Sequence, residues 1–188
     1  MKKLYILMGK SAAGKDTVMS RVIAEGMPKK ITHTTRPMRE NEENGREYFF
    51  ETEETHNQAL KNNTILEQRV YNTTKGLWYY WSDTSPLEAE RTVTVSTLEG
   101  YKKLKAFYGD AAIPVYIYCR DDIRMERLLK REEAQKNPDY KEICRRFIAD
   151  SRDFGEELLL DAGVSETDSW PCEDERDLEK IVKFITEK

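Results

Sequence analysis

The sequence predicts an α/β fold with a central parallel sheet, and three observations carry that prediction. Strand-like segments recur at residues 4–8, 91–98 and 112–119, the first and last apolar and the middle one alternating and β-branched. Helical patterns follow them, at 15–25, 99–107, 123 to about 134, and about 141–151. The first apolar run passes directly into a glycine-flanked loop and then a helix. Strands alternating with helices imply a doubly wound sheet with ligands at the carboxyl ends of its strands.

The loop is Gly9-Lys10-Ser11-Ala12-Ala13-Gly14-Lys15-Asp16-Thr17. Two glycines with four residues between them, followed at once by lysine, is the spacing of a phosphate cradle. Gly9 and Gly14 admit torsions a Cβ would forbid, so successive amides can turn inward around a phosphate chain. Lys15 adds a mobile charge, and the positive end of the following helix points at the same place. The helix repeats Val18, Met19, Val22 and Ile23 on one face. The position after the lysine usually carries Ser or Thr as a Mg²⁺ ligand, and here it is Asp16, with Thr17 next. Two readings stand: Thr17 binds phosphate while Asp16 complements the helix dipole, or Asp16 holds the metal through its hard oxygens.

The chain's 188 residues suffice for one catalytic domain with small inserted lobes. Charged residues make up 35% and the net charge is only −4, which argues against a general nucleic-acid binder. No apolar run approaches a membrane span, and neither signal peptide nor anchor is visible. Cys119, Cys144 and Cys172 lie far apart without metal-ligand spacing, as reduced thiols of a cytoplasmic protein would. His33 and His56 are too isolated to indicate a metal site.

Between the first helix and residue 91 the pattern changes. Residues 32–50 are polar and turn-rich and end in a strand at 48–50. Residues 53–60 read as a short helix, 64–71 as a strand with Glu67 among apolar neighbours, 72–76 as a turn and 77–82 as an aromatic strand. This lobe is expected to be a small sheet. Arg36 and Arg39 bracket Pro37, a stiff placement of two guanidinium forks that suits a phosphate monoester. The later helices carry Arg124, Arg127, Arg131, Arg145 and Arg146. Such a run is ordinarily a solvated face, but with a phosphate loop in the same chain it suits cations that close around a migrating phosphoryl group.

The chain resembles the guanylate kinase family. The resemblance rests on the phosphate loop and on Thr34-Thr35-Arg36-Pro37-Met38-Arg39, followed by Glu42, Asn44-Gly45 and Glu47-Tyr48-Phe49-Phe50, and it spans about residues 4–153. It implies a P-loop NTPase-type three-layer fold with a central parallel sheet, an inserted GMP-binding lobe (32–83) and a helical lid (124–151). The core would be 1–31, 84–123 and 152–188. It also implies phosphoryl transfer from ATP to GMP or dGMP with Mg²⁺. By position, Arg36, Arg39, Tyr48 and Tyr80 would hold the GMP phosphate, with Thr32 and Glu42 in the same site. Glu67 would accept from the two adjacent N–H groups of guanine, and Ser82 would meet its carbonyl oxygen. Residues 9–17 and Arg131 would hold ATP, and Lys15, Arg36, Arg131 and Arg146 would be the catalytic cations. Two aspartates that end the family's 91–98 strand are Val95 and Thr97 here, so Asp16 stands as the replacement metal-organising carboxylate. Met38 replaces a proline and Trp81 a glycine. The rival readings are a kinase for another nucleoside monophosphate and a non-catalytic guanylate kinase-like binding module.

Overall fold

The computed structural model describes residues 2–73 and 76–187. One sheet is parallel throughout, in the order β6-β1-β7-β8, from β1 (Lys3–Met8), β6 (Arg91–Val95), β7 (Ala112–Tyr118) and β8 (Ser169–Pro171). Side chains alternate along a strand, and β1 uses both faces. Tyr5 and Leu7 enter one core with Val18, Val22, Ile181 and Ile185. Leu4, Ile6 and Met8 enter another with Leu98, Tyr101 and Leu104. The first core lies under α1 (Lys15–Ala24) and α7 (Glu175–Thr186), the second under α3 (Leu98–Tyr108). Helices on both faces make the three layers.

The second sheet runs β3-β2-β5-β4, from β2 (His33–Thr34), β3 (Phe49–Phe50), β4 (Ile65–Thr73) and β5 (Gly76–Asp83). α2 (Glu53–Lys61) covers one face. There His56 is buried, bonds Gln68 through Nε2 at 2.9 Å, and stacks on Tyr79 with ring centroids 4.1 Å apart. Trp81 joins that face, edge-on to His56 and stacked on His33. The residue at the family's glycine position thus packs under α2, away from its neighbours Tyr80 and Ser82. The register slips by one residue between Ile65 and Glu67, a bulge of the kind that re-aims a side chain. Beyond it Glu67, Arg69 and Tyr71 stand opposite Ser82, Tyr80 and Trp78. The turn expected at 72–76 is shorter: residues 72, 73 and 76 belong to the paired strands, and residues 74 and 75 lie outside the described residues.

Two further boundaries differ from expectation by two residues or more. β6 ends at Val95 rather than at residue 98, because Thr97 caps α3 with its Oγ1 accepting from Gly100 N at 3.1 Å. α4 (Asp121–Glu133) starts two residues early, with Asp121 and Asp122 in the first turn where the dipole favours acids. α5 (Tyr140–Asp153) and α6 (Glu156–Asp161) follow. β8 then extends the parallel sheet beside β7, and α7 packs on α1. Arg91 lies over the Tyr5 ring and donates to the carbonyls of Phe184, Ile185 and Glu187, satisfying a helix end that would otherwise lack partners. Among the described residues no helix is long and apolar enough to cross a membrane.

Candidate active site

The phosphate loop leaves β1 at Gly9 under a tight constraint. A Cβ there would lie 2.1 Å from the carbonyl oxygen of Ile117 on β7, and at Gly14 one would lie 2.5 Å from Cys172 Sγ. Both glycines also have positive φ, 145° and 113°, so glycine is required on both counts. Lys15 lies back across the loop, donating to Gly9 O at 2.7 Å and Lys10 O at 2.9 Å. Burial lowers its pKa from the ordinary lysine value, with Asp16 and Asp150 acting in opposition.

Three side chains from the helical pair fasten this loop. Arg124, fully buried, donates from Nε to Ser11 O at 2.9 Å and from Nη2 to Asp150 at 2.7 Å. Asp150 in turn accepts from Ser11 N at 2.7 Å and Ser11 Oγ at 3.2 Å. Arg127 donates to Ala12 O, Cys172 O and Glu173 O at 3.0–3.2 Å. The carbonyls of Ser11 and Ala12 are thereby held by α4, while the Lys15 end of the loop borders a cleft. That cleft, about 630 Å³, is lined by Ala12, Gly14, Lys15, Asp16 and Thr17, by Arg127 and Arg131, and by 172–175 with Leu178. Asp16 is exposed, 3.8 Å from Arg131. The segment after β8 forms one wall.

A second cleft, about 980 Å³, lies between the β4–β5 face and α5. Arg39, Tyr48, Arg69, Tyr80, Arg145, Arg146 and Asp150 are among its lining residues, and Ser11 joins it to the phosphate loop. Three of the flanking arginines are held by acids. Arg36 donates to both oxygens of Glu42 at 2.9 and 2.7 Å and from Nε to Tyr80 Oη at 3.2 Å. That fork holds the Glu42 carboxyl down at about 2. Arg145 and Arg146 share Glu142 at 2.7 Å, which is likewise held at about 2. Burial, and then Tyr80, push the Tyr48 phenol up despite Arg69 and Arg36, so Tyr48 remains a hydrogen-bond donor at neutral pH.

At the inner end of the β4–β5 face Glu67 is buried, its Oε1 accepting from Ser82 Oγ at 2.9 Å. Its Oε2 would be 3.2 Å from a Cβ on Gly100, in the first turn of α3, where the positive helix end suits a carboxylate. Ser96 Oγ, buried beside them, has no hydrogen-bond partner among the described residues.

Of the expected site residues, the structure brings Ala12, Gly14, Lys15, Asp16, Thr17 and Arg131 to one cleft, and Arg39, Tyr48, Tyr80 and Arg146 with Ser11 to the other, while Ala13 is buried in the core and lines neither. Glu67 and Ser82 pair directly, as does Arg36 with Glu42. Thr32 is buried and lines neither cleft. Gly9 and Lys10 serve the loop through their carbonyls. The strand end offers no carboxylate, and Thr97 is used as a cap. Sequence reasoning missed Asp150, Arg69 and the wall at 172–175. It grouped Arg124 and Arg127 with closing cations, whereas here they are fastened to loop carbonyls. Their spacing from Arg131 on one helix face, i, i+3 and i+7, was the available signal.

A family model described as guanylate kinase matches residues 1–157. The guanylate kinase of Helicobacter hepaticus is 34% identical over 138 aligned positions, with 69% of this chain and 66% of that protein covered. The guanylate kinase of Porphyromonas gingivalis is 27% identical over 196 aligned positions, spanning all of this chain and 98% of that one. Among solved structures, the guanylate kinase from Anaplasma phagocytophilum superposes with a TM-score of 0.65 at 18% identity. It covers 98% of this chain and 82% of its own, a likeness of fold. β8 and α7 lie beyond the span of the family model.

Proposed function

Since the chain belongs to the guanylate kinase family, we propose that it transfers the γ-phosphoryl group of ATP to GMP or dGMP, giving ADP and GDP or dGDP. One observation carries the guanine assignment: a buried Glu67–Ser82 pair closes one end of the face whose other end is Tyr80 with Arg36. A carboxylate accepts from both N–H donors on the guanine edge, and adenine offers no such pair. In this reading 32–83 is the acceptor lobe, 124–151 the lid, and the remainder the core.

Lys15 and the loop amides hold the ATP phosphates, while Arg36, Arg39, Tyr48 and Tyr80 hold the acceptor phosphate. Arg131 and Arg146, from opposite sides, bring positive charge to the transferring group as the lid closes. The acceptor oxygen is already nucleophilic, so the protein supplies alignment and charge rather than a base. Asp16 fits a metal that keeps most of its water and binds through one carboxylate and substrate oxygens, because its side chain is 83% exposed at the mouth of the loop. When bound with ATP, Mg²⁺ supplies charge neutralisation on the phosphates.

The test is coupled ADP production with ATP·Mg²⁺ and each of GMP, dGMP, AMP, CMP and UMP. Turnover confined to GMP and dGMP is the expected result. Turnover with another monophosphate instead keeps the kinase and discards the guanine assignment. No turnover with any, although ATP raises the melting temperature, makes the chain a binding module.

A further inference from the structure

The acceptor cleft contains one guanidinium that the preceding account leaves idle. Arg69 sits on β4 opposite Tyr80 in register, on the face that carries Glu67 and Ser82. Its Nε is buried and has no hydrogen-bond partner among the described residues. Its Nη2 is 3.7 Å from Glu67 Oε1, an ion pair too long for a hydrogen bond. Three other arginines around the cleft differ: Arg36 is doubly held by Glu42, and Arg145 and Arg146 are held by Glu142. A buried donor on a charged group without a partner is unfavourable. The Nε–Nη edge of a guanidinium presents two parallel donors, a match for two oxygens of a phosphate monoester.

We propose that Arg69 is a further ligand of the acceptor's phosphate, closing on it from the strand across from Arg36 and Arg39. The inference rests on the guanylate kinase reading of the cleft. It adds a coupling between the two ends of the acceptor. When Arg69 turns to the phosphate it leaves Glu67 Oε1, and the carboxylate is then free to take the N–H donors of the base. Phosphate and base therefore bind better together than their separate affinities imply.

The experiment is calorimetric titration of the wild-type chain, Arg69→Met and Arg69→Lys with GMP and with guanosine, melting temperatures being measured alongside. Arg69→Met keeps the length and loses the charge; it is expected to weaken GMP about 10- to 100-fold while guanosine stays within about 3-fold. Arg69→Lys, which keeps charge without the fork, is expected to fall between, and it carries the test alone if the Met variant does not fold. A purely structural Arg69 would lower both ligands together. The proposal is overturned if GMP affinity is unchanged in the variants, or if guanosine weakens as much as GMP. A wild-type chain that binds no GMP overturns the guanine reading and this inference with it, and that outcome is seen before any variant is tested.

Discussion

The two clefts are built on opposite principles. On the phosphate-loop side, proposed above for the donor, the backbone is the instrument. Glycine is forced at Gly9 and Gly14 by contacts with Ile117 and Cys172, and Arg124, Arg127 and Asp150 grip main-chain atoms of the loop. On the acceptor side the instruments are side chains from separate segments, and acids aim the arginines: Glu42 for Arg36, Glu142 for Arg145 and Arg146. A site made of backbone is specified by a short stretch of sequence and tolerates little change within it. A site made of aimed side chains is specified by partners far apart, and it can change substrate by exchanging one of them.

Substitutions separate the two cases, and the largest effect is expected at Lys15. Lys15→Met removes the charge that the proposed reading places on the ATP phosphates, so kcat should fall roughly 10²- to 10³-fold while the melting temperature hardly moves, both readable in one preparation. Next is Glu67→Gln, which swaps an acceptor-only group for one that also donates. kcat/KM for GMP should drop about 10²-fold, with AMP little affected. Asp150→Ala leaves Arg124 buried without its carboxylate partner on α5 and frees Ser11. Because Asp121 and Ser11 O still engage Arg124, the loss in urea unfolding should be about 2–3 kcal/mol, below that of a fully orphaned buried charge.

The smallest effects are those of pH. Glu42 has its pKa depressed from 4.5 to about 2 by the Arg36 hydrogen bonds. A depressed carboxylate contributes stability above its unfolded pKa and loses it as the pH falls through the folded one. Between about pH 4.5 and 2 the wild-type melting temperature should therefore fall more steeply than that of Glu42→Gln. On the donor side the sign is reversed in function: burial lowers Lys15, so kcat/KM for ATP should decline at alkaline pH before an ordinary lysine would titrate.

The same contrast explains what was legible in the sequence. The phosphate loop, its strand and its helix could be read directly because their signature (apolar run, spaced glycines, lysine and helical periodicity) lies within residues 3–24, although Ile117, Cys172, Arg124, Arg127 and Asp150 also constrain the loop from afar. Glu67 and Ser82 came from a family resemblance; composition and periodicity mark them only as strand residues. Asp150 looked like one more acid on a charged helix, since nothing local records that its partner Ser11 is 139 positions away. Arg69 had no signal beyond alternation with Glu67 on one strand. The tail illustrates the intermediate case. Leu178, Ile181, Val182 and Ile185 have helical spacing, a signal the sequence reading left unused. That this helix packs on α1, and that the preceding segment walls the donor cleft, depends on β8 pairing with β7.

Guanine recognition by Glu67 is the central claim, and the most direct measurement is kcat/KM for GMP against inosine monophosphate, which lacks only the 2-amino group. If the buried carboxylate takes both N–H donors, GMP should be preferred by about 10²-fold or more, and Glu67→Gln should collapse that preference. Equal use of the two nucleotides by the wild-type protein would contradict the account, because the carboxylate would then not be reading the edge it is placed to read.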